Sequence, residues 1–462
     1  MELNRKIDEM REEIIKSTQE IIKIKSVEEQ PKEGMPFGEG PYNALKYALD
    51  LCEKLGFKTV NLDNYVGYAE YGEGEEYVAI LGHLDVVPEG DGWIHPPYAA
   101  EIHDGKMYGR GTMDDKGPMI SVLYGLKAMK DLGIKLSKKV RIIFGTNEES
   151  GCGEIEHYFK TETAPVSGFT PDAEYPIING EKGLTIFDFV KDLKVKGNNT
   201  VIKYIKGGQK ANMVPDYCEA AVITNEAEKV LLYARNFKEI TGYDITAEVK
   251  DDMAIIKSVG ASAHGSTPEL GKNAIMQLFG FVEQLGFEDS DILNLIKFFN
   301  KHVGLETDGE SFGVGLKDDV SGTLSFNVGT IDINEEKARM TVNLRYPVTC
   351  TFEEMMNGIN ATLEGSEIRV ENMEHQKPLY FPQDHPTIKA LSKVYEEQTG
   401  EKVELLSIGG GTYAKEMPNI VAFGPLFPGE PELIHQPNEY IEVEDLIKNA
   451  KIYAHAIYEL AK

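Results

Sequence analysis

Residues 77–88, YVAILGHLDVVP, place an unbroken apolar run directly before a loop that contains His83 and Asp85. Such a run, ended by a glycine, is typical of a short strand buried in the middle of a sheet. A helical pattern follows over 118–131, and a second buried strand, KVRIIFGT, follows over 139–146. Strands that alternate with helices predict an α/β fold, with a mixed sheet flanked by helices and ligands gathered at the carboxyl ends of its strands.

The pattern changes near residue 183. From there to about residue 379 strand-like runs dominate, with a helix over 274–285 and a hairpin around 332–336. A helix over 386–399, a strand, a glycine-rich loop and a final helix then return to the earlier pattern. We therefore predict a first α/β domain formed by residues 1–182 and 384–462, with an α+β domain, residues 183–383, inserted into it.

Composition excludes several classes of protein. The 462 residues include 76 Asp and Glu against 48 Lys and Arg, a formal charge of −28 that predicts no nucleic-acid and no membrane partner. No apolar run reaches the roughly 20 residues of a membrane-spanning helix, and the first residues lack the pattern of a signal peptide. The four cysteines lie far apart, which favours neither a disulfide framework nor a cysteine metal site. We expect a cytoplasmic protein.

Two segments near the first strand carry candidate metal ligands. His83 and Asp85 lie two residues apart, so on an extended backbone they point to the same side. A metal-bound histidine usually donates its second N–H to a carboxylate, and Asp85 would support His83 in this way directly or by shaping the loop. The alternative is a surface histidine beside a loop aspartate. In GRGTMDDKGP, 109–118, Asp114 and Asp115 precede a helix; they suit a carboxylate bridging two cations, but also simple helix capping.

Three further segments carry acids or a histidine at predicted strand ends or in loops. Glu148 and Glu149 follow the second buried strand, Asp172 follows a short extended run, and His435 precedes the last helix. Each has a simpler reading as a solvated loop, a turn or a surface histidine. Together, two histidines and several carboxylates form the mixed nitrogen and oxygen set that suits Zn²⁺ or Mn²⁺.

These segments resemble a known family. GHLDVVP, GRGTMDDKG, GTNEESG, SGFTPDAEYP and LIHQPNEYI resemble the five metal-site motifs of the M20 family of di-metal aminoacyl hydrolases, and most of all its PepV-type dipeptidases. The likeness extends over nearly the whole chain and includes TPDAEYPIINGEKG (170–183), NLRYP (343–347) and IGGGTYAK (408–415). It implies a catalytic domain of the di-zinc exopeptidase type and an inserted α+β lid domain.

The resemblance implies a role for each acid and histidine of the motifs. Asp114 would bridge two divalent metal ions, with Zn²⁺ preferred and Mn²⁺ or Co²⁺ as alternatives. Glu148 would be the general base, and Asp85 would orient the site behind His83. A cis peptide between Asp114 and Asp115 is also implied. The remaining ligands divide between the ions, with His83 and Asp172 on one, and Glu149 and His435 on the other.

The inserted domain and the glycine-rich loop carry candidate substrate-binding residues. By resemblance, His264 would donate a hydrogen bond to the oxyanion, although a loop histidine is the simpler reading. Asn212 and Arg345 would bind substrate, and the fork of Arg345 suits the free carboxylate of a small peptide, although a strand-end salt bridge would also explain it. The loop lacks the ending of a phosphate-binding loop, and we expect it to hold the peptide C-terminus through its backbone at Gly410, Gly411 and Thr412.

The resemblance thus implies a monomeric metal-dependent dipeptidase that hydrolyses unblocked dipeptides. One alternative is an N-acyl-amino-acid deacylase of the same family, of the acetylornithine or succinyl-diaminopimelate kind. A second is a non-catalytic metal-binding or peptide-binding protein. The presence of Glu148, a base that is not a metal ligand, counts against this alternative.

Overall fold

The computed structural model describes residues 2–194, 200–250, 253–287 and 290–462. The chain divides into two compact units. The first comprises the residues up to Asn179 together with Phe381–Leu406 and Gly411–Lys462, and the second comprises Gly180–Tyr380 together with Ser407–Gly410. The predicted α/β fold with an inserted second part is confirmed.

The segment Ser407–Gly410 departs from the predicted division, which assigned it to the first domain. It lies in the second unit, where Ser407 Oγ donates to the Gly180 carbonyl at 3.2 Å and Arg345 donates to the Gly409 carbonyl. A glycine-rich segment has few side chains of its own to bury, so backbone contacts of this kind decide where it packs.

A mixed sheet forms the centre of the first unit. Its strands lie side by side in the order Lys58–Leu62, Val66–Tyr71, Lys139–Gly145, Tyr77–His83, Ser167–Thr170, Ile420–Ala422 and Ile177–Glu181. The four strands from Lys139–Gly145 to Ile420–Ala422 are parallel, and the other neighbours pair antiparallel. The carboxyl ends of the parallel strands therefore lie at one edge of the sheet.

Helices cover both faces of this sheet. Gly82 and Phe144 are register partners and face the same side, where a Cβ on Gly82 would lie 2.4 Å from Met119 Sδ. Gly145 is next along its strand and faces the opposite side, towards the ring of Tyr413. The helices of the first unit are Glu2–Glu9, Arg11–Ile22, Glu39–Lys54, Lys116–Asp131, Gly153–Tyr158, Pro386–Thr399, Tyr413–Glu416 and Val443–Ala461, with a 3₁₀ turn at Glu148–Ser150.

Short strands outside the main sheet join distant parts of the first unit. Glu101–His103, Lys106–Tyr108 and Tyr440–Glu442 form a three-stranded antiparallel sheet, and Ala173–Glu174 pairs with Pro425–Leu426. The three-stranded sheet holds the segment after His435 beside the loop that contains Asp114. These strands have only two or three residues, too few for a period-two pattern to reveal them in the sequence.

The second unit contains an eight-stranded antiparallel sheet. Its strands follow the order Asp244–Lys250, Met253–Val259, Tyr217–Thr224, Thr200–Gly207, Ser325–Asn334, Lys337–Tyr346, Gly183–Asp192 and Arg369–Gln376. The predicted hairpin around 332–336 is confirmed by the pairing of Ser325–Asn334 with Lys337–Tyr346. Its helices are Ala227–Thr241, Ala274–Gln284, Asp291–His302 and Phe352–Leu363, with a 3₁₀ turn at Pro268–Leu270. Shorter strands of this unit are Lys317–Asp318, Gly322–Thr323 and Leu379–Tyr380, whereas the strand Leu405–Ile408 has two residues in each unit.

Apolar side chains of the strands and helices fill the core of the second unit, among them Phe187, Ile256, Phe279 and Val342. Among the described residues, no helix of either unit combines the length and the apolar character needed to cross a membrane.

Candidate metal centre

Three neighbouring parallel strands bring the acids and His83 to one edge of the sheet. His83 is the last residue of its strand, Glu148 and Glu149 follow the adjacent strand, and Asp172 follows the strand on the other side. Because the strands are parallel and in register, these side chains meet although they are far apart in the sequence.

The first group of candidate ligands consists of His83, Asp114 and Asp172. Nε2 of His83 lies 2.8 Å from Oδ1 of Asp114 and 3.7 Å from Oδ2 of Asp172. The three donor atoms lie within 4.8 Å of one another, which is close enough to surround one ion.

The second group consists of Asp114, Glu149 and His435. Nε2 of His435 lies 3.0 Å from Oδ2 of Asp114 and 3.1 Å from Oε2 of Glu149. Asp114 thus presents one carboxylate oxygen to each group, which is the arrangement of a carboxylate that bridges two cations. The peptide bond between Asp114 and Asp115 is cis, as the motif resemblance implies.

The electrostatics of both groups favour added positive charge. Burial opposes ionisation of Asp114, but the imidazoles of His435 and His83 beside its carboxylate outweigh that effect and lower its pKa. Burial and then the charge of Asp114 raise the pKa of Asp172 to about 7. Burial raises the pKa of Glu148, and the neighbouring carboxylates add to that rise. Cations at the centre would relieve this crowding of buried negative charge.

The imidazole of His83 gives a direct test of whether a metal fits. Its Nε2 is fully buried and makes no hydrogen bond of acceptable geometry within the described parts of the chain, although Asp114 lies close. Its Nδ1 lies 3.0 Å from the Asp85 backbone carbonyl, so Nδ1 carries the proton of the neutral ring and Nε2 keeps its lone pair. A buried lone pair aimed between two carboxylates fits a metal ligand.

Comparison with known proteins agrees with the motif resemblance. A model of peptidase family M20/M25/M40 matches residues 79–459. The chain belongs to peptidase family M20/M25/M40. It is 41% identical over 459 residues, 98% of each chain, to the protein of Bacillus subtilis (strain 168) named "Putative dipeptidase YtjP".

Solved structures show the same fold at low sequence identity. Aminoacylhistidine dipeptidase from Vibrio alginolyticus matches with a TM-score of 0.59 at 13% identity, over 97% of this chain and 96% of the other. The YxeP protein of Bacillus subtilis, described as a dinuclear metal-binding peptidase of the M20 family, matches with a TM-score of 0.51 at 12% identity, over 98% of this chain and 99% of the other.

In this M20/M25/M40 peptidase, Asp85 acts on the neighbouring loop more directly than on His83. Its carboxylate lies 3.5 Å from Nδ1 of His83, farther than its own carbonyl. The carboxylate instead accepts hydrogen bonds from two backbone N–H groups, those of Glu148 at 3.2 Å and of Glu149 at 3.1 Å. Asp85 therefore fixes the loop that carries the candidate base and a candidate ligand.

Glu439 is a part of the site that sequence analysis missed. It is fully buried, and its carboxylate accepts hydrogen bonds from the backbone N–H groups of Gly111, Met113 and Asp114 and from Arg110 at 2.7 Å. Burial and the charge of Asp114 raise the pKa of Glu439 to about 7, against the opposing effect of these donors. Glu439 holds the backbone around Asp114. The only sequence signal was its position four residues after His435 in the same motif.

Glu154 supports the acidic loop from the other side. It is fully buried, accepts a hydrogen bond from the Asn147 backbone N–H at 3.2 Å and another from the Tyr413 hydroxyl. Neither Glu154 nor Tyr413 was singled out in the sequence, because each lies outside the recognised run of acids.

The candidate substrate-binding residues of the lid prediction lie in the second unit. His264 and Asn212 lie on two neighbouring segments, where the Gly265 N–H donates to the Asn212 carbonyl at 2.7 Å. The ring of His264 accepts at Nδ1 from the Ser266 N–H at 3.4 Å, with Ser266 Oγ at 2.6 Å. Burial and then the charge of Arg345 lower the pKa of His264.

Arg345 is buried at the end of a strand. It donates to Asn343 Oδ1 at 3.1 Å and to the Gly409 carbonyl, and burial lowers its pKa to about 10. Within the described ranges it forms no salt bridge to a carboxylate.

The glycine-rich loop is divided between the units. Gly410 belongs to the second unit, whereas Gly411 and Thr412 belong to the first. The Thr412 hydroxyl accepts from the Ala414 N–H at 3.1 Å and so caps the helix Tyr413–Glu416.

Proposed function

We propose that this chain is a metal-dependent dipeptidase that hydrolyses unblocked dipeptides, with two divalent cations and with Glu148 as general base. The observation that carries the proposal is the sharing of Asp114 between two groups of candidate ligands, beside a glutamate that belongs to neither group. The name of the 41% identical relative supports the substrate class.

The candidate ligands fit two divalent cations. His83 and Asp172 would hold one, Glu149 and His435 the other, and Asp114 both. Nitrogen and oxygen donors of this kind suit Zn²⁺ first, with Mn²⁺ or Co²⁺ as alternatives. When bound, the two cations would polarise the scissile carbonyl and lower the pKa of the attacking water.

Glu148 would then move the proton. Its carboxylate takes a proton from the attacking water and delivers it to the nitrogen of the leaving amine, so one group serves as base and then as acid. Asp85 supports this role because it holds the Glu148 and Glu149 backbone in place.

His264 would donate a hydrogen bond to the developing oxyanion. Because its Nδ1 accepts from the Ser266 N–H, the proton of the neutral ring lies on Nε2. The lowered pKa keeps the ring neutral near pH 7, so Nε2 offers a single directed donor.

Arg345 would bind the free carboxylate of the dipeptide. A buried guanidinium without a carboxylate partner among the described residues is stabilised when an anion binds to it. Its planar pair of N–H donors matches the geometry of a carboxylate. Asn212 and the backbone of the loop at Gly410, Gly411 and Thr412 would assist. We further propose a monomer in the cytoplasm, in keeping with four cysteines that are all free.

The test is amine release from a panel of dipeptides, N-acetyl amino acids and tripeptides, with protein stripped of metal and resupplied with Zn²⁺ or Mn²⁺. We expect metal-restored cleavage of dipeptides alone. Cleavage of the acetylated compounds would indicate the deacylase instead, and no cleavage with either metal would indicate a binding protein.

A Glu148→Gln variant tests the general base. Turnover should fall by roughly 10²–10⁴-fold, with metal content unchanged. The matched control is Glu156→Gln, the same change at an exposed position a few residues away, which should keep the activity of the unmodified protein. Near-normal turnover in Glu148→Gln would show that another group takes the proton.

A further inference from the structure

A second cluster of metal-binding side chains lies on the surface of the first unit, outside the centre around Asp114. It consists of His95, Glu101 and His103, whose donor atoms lie within 4.8 Å of one another. Glu101 and His103 are two residues apart on one strand and therefore point to the same side. His95 reaches them from the preceding loop.

The distances match the needs of a tetrahedral ion. Nε2 of His103 lies 3.0 Å and Nδ1 of His95 lies 3.8 Å from the same oxygen, Oε2 of Glu101. Zinc bonds of about 2.0–2.1 Å place neighbouring tetrahedral ligands roughly 3.3 Å apart, between these two values. Both histidines thus bring a ring nitrogen near the same carboxylate oxygen.

Contacts around the two histidines order part of the cluster before any ion binds. The ring of His95 packs against Tyr108 with centroids 4.1 Å apart and against His103 with centroids 4.4 Å apart. Asn438 fixes the backbone of the loop, since its Oδ1 accepts from the Ile94 N–H at 2.6 Å. The strand Glu101–His103 is itself paired in the three-stranded sheet. An ion would therefore order side chains whose backbone is already fixed, which reduces the entropic cost of binding.

We propose that His95, Glu101 and His103 form a further divalent-cation site, which takes Zn²⁺ or a similar transition ion with water completing its coordination. The site does not depend on the dipeptidase proposal, because it shares no residue with the Asp114 centre. An ion bound here joins the loop of His95 to the sheet that also holds Tyr440–Glu442.

The chain provides a local reporter for this site. Trp93 is the only tryptophan and lies two residues before His95, where its Nε1 donates to the Glu89 carbonyl at 2.7 Å. The experiment titrates metal-stripped full-length protein with Zn²⁺ and follows Trp93 fluorescence. Equilibrium dialysis counts the bound ions in parallel.

Both measurements are repeated in an Asp114→Asn background, which dismantles the other centre. We expect a saturable fluorescence change and one retained Zn²⁺ ion in that background. The experiment measures metal binding and not peptide hydrolysis, so its result does not depend on whether the proposed dipeptidase function is correct.

The variants are His103→Gln and, as a matched control, His157→Gln. His157 pairs with Asp63 at 3.0 Å and stacks on a tyrosine with centroids 4.1 Å apart. It therefore shares the carboxylate and the aromatic contact of the proposed site but provides one histidine instead of two. His103→Gln should weaken Zn²⁺ binding by at least roughly 10-fold, since even supporting residues of metal sites contribute that much. His157→Gln should leave the midpoint unchanged.

Two results would overturn the proposal. One is the same midpoint in His103→Gln and His157→Gln. The other is the absence of both a saturable fluorescence change and a retained ion in Asp114→Asn protein.

Discussion

Replacing Asp85 by asparagine removes one of the two contacts that hold the acidic loop. The Asp85 side chain is about 1% exposed, and its two oxygens accept from the backbone N–H groups of Glu148 and Glu149. An amide keeps one acceptor and turns an NH₂ group towards the other N–H. A hydrogen bond to a charged acceptor contributes about 1.5–3 kcal/mol, so Asp85→Asn should lower the free energy of unfolding by that amount.

Asp85→Ala removes both acceptors and should cost more. An unsatisfied N–H costs about 1–3 kcal/mol when fully buried, so about 6 kcal/mol is the upper limit for these two partly buried groups. The effect on catalysis follows from geometry, because a displacement of about 1 Å in a catalytic group can cost on the order of 10²-fold in rate. We expect kcat to fall by about that factor in Asp85→Asn and further in Asp85→Ala.

The assay combines dipeptide turnover with urea unfolding of the metal-free protein, followed by the fluorescence of Trp93. The matched control is Asp63→Asn, the same change at a side chain that is 81% exposed, which should shift stability by less than about 0.5 kcal/mol. Unchanged kcat in Asp85→Asn, or equal effects of Asp85→Asn and Asp63→Asn, would refute the claim that this carboxylate positions Glu148.

Two further predictions concern a glycine in the strand before His83 and the buried arginine. A Cβ on Gly82 would lie 2.1 Å from Oδ2 of Asp115 and 2.4 Å from Sδ of Met119, so Gly82→Ala should destabilise by about 1–3 kcal/mol and weaken metal binding in equilibrium dialysis. Gly280, in a helix with open space around it, is the control, and Gly280→Ala should stabilise by up to about 1 kcal/mol in urea unfolding. Arg345→Lys should raise KM for free dipeptides by about tenfold, the equivalent of one lost charged hydrogen bond, and should leave KM for C-terminally amidated dipeptides unchanged. Equal changes for both substrates would contradict a carboxylate-binding role.

The elements predicted well from the sequence are those whose signals are local. The helix Pro386–Thr399 has the predicted bounds, because His385 caps it, proline occupies its first position and Gly400 ends it in the left-handed conformation. The strand Tyr77–His83 is completely buried, as its apolar run predicts. Since that strand is fixed locally, His83 at its end could be predicted as well.

The parts that could not be predicted depend on contacts between distant segments. Glu439 bonds to backbone groups more than 300 residues earlier, at Gly111, Met113 and Asp114, and nothing around it in the sequence marks a buried carboxylate. The contacts of Asp85 with the acidic loop could not be predicted for the same reason. Sequence spacing relates it to His83, whereas its hydrogen-bond donors lie 63 and 64 residues away.

The hydrogen-bond donors around each carboxylate separate two kinds of acid at this centre. Asp85 and Glu439 accept from backbone N–H groups, which offset part of their charge and fix the loops on either side. Asp114 and Glu149 instead meet imidazole nitrogens, which are themselves metal ligands when neutral. A cation is therefore stabilised more beside the second kind of acid, because fixed backbone donors do not already offset the negative charge there. On this reasoning the acids that shape the loops and the acids that bind metal are distinct residues, and substitution of the first kind should disturb the centre only through the position of the second.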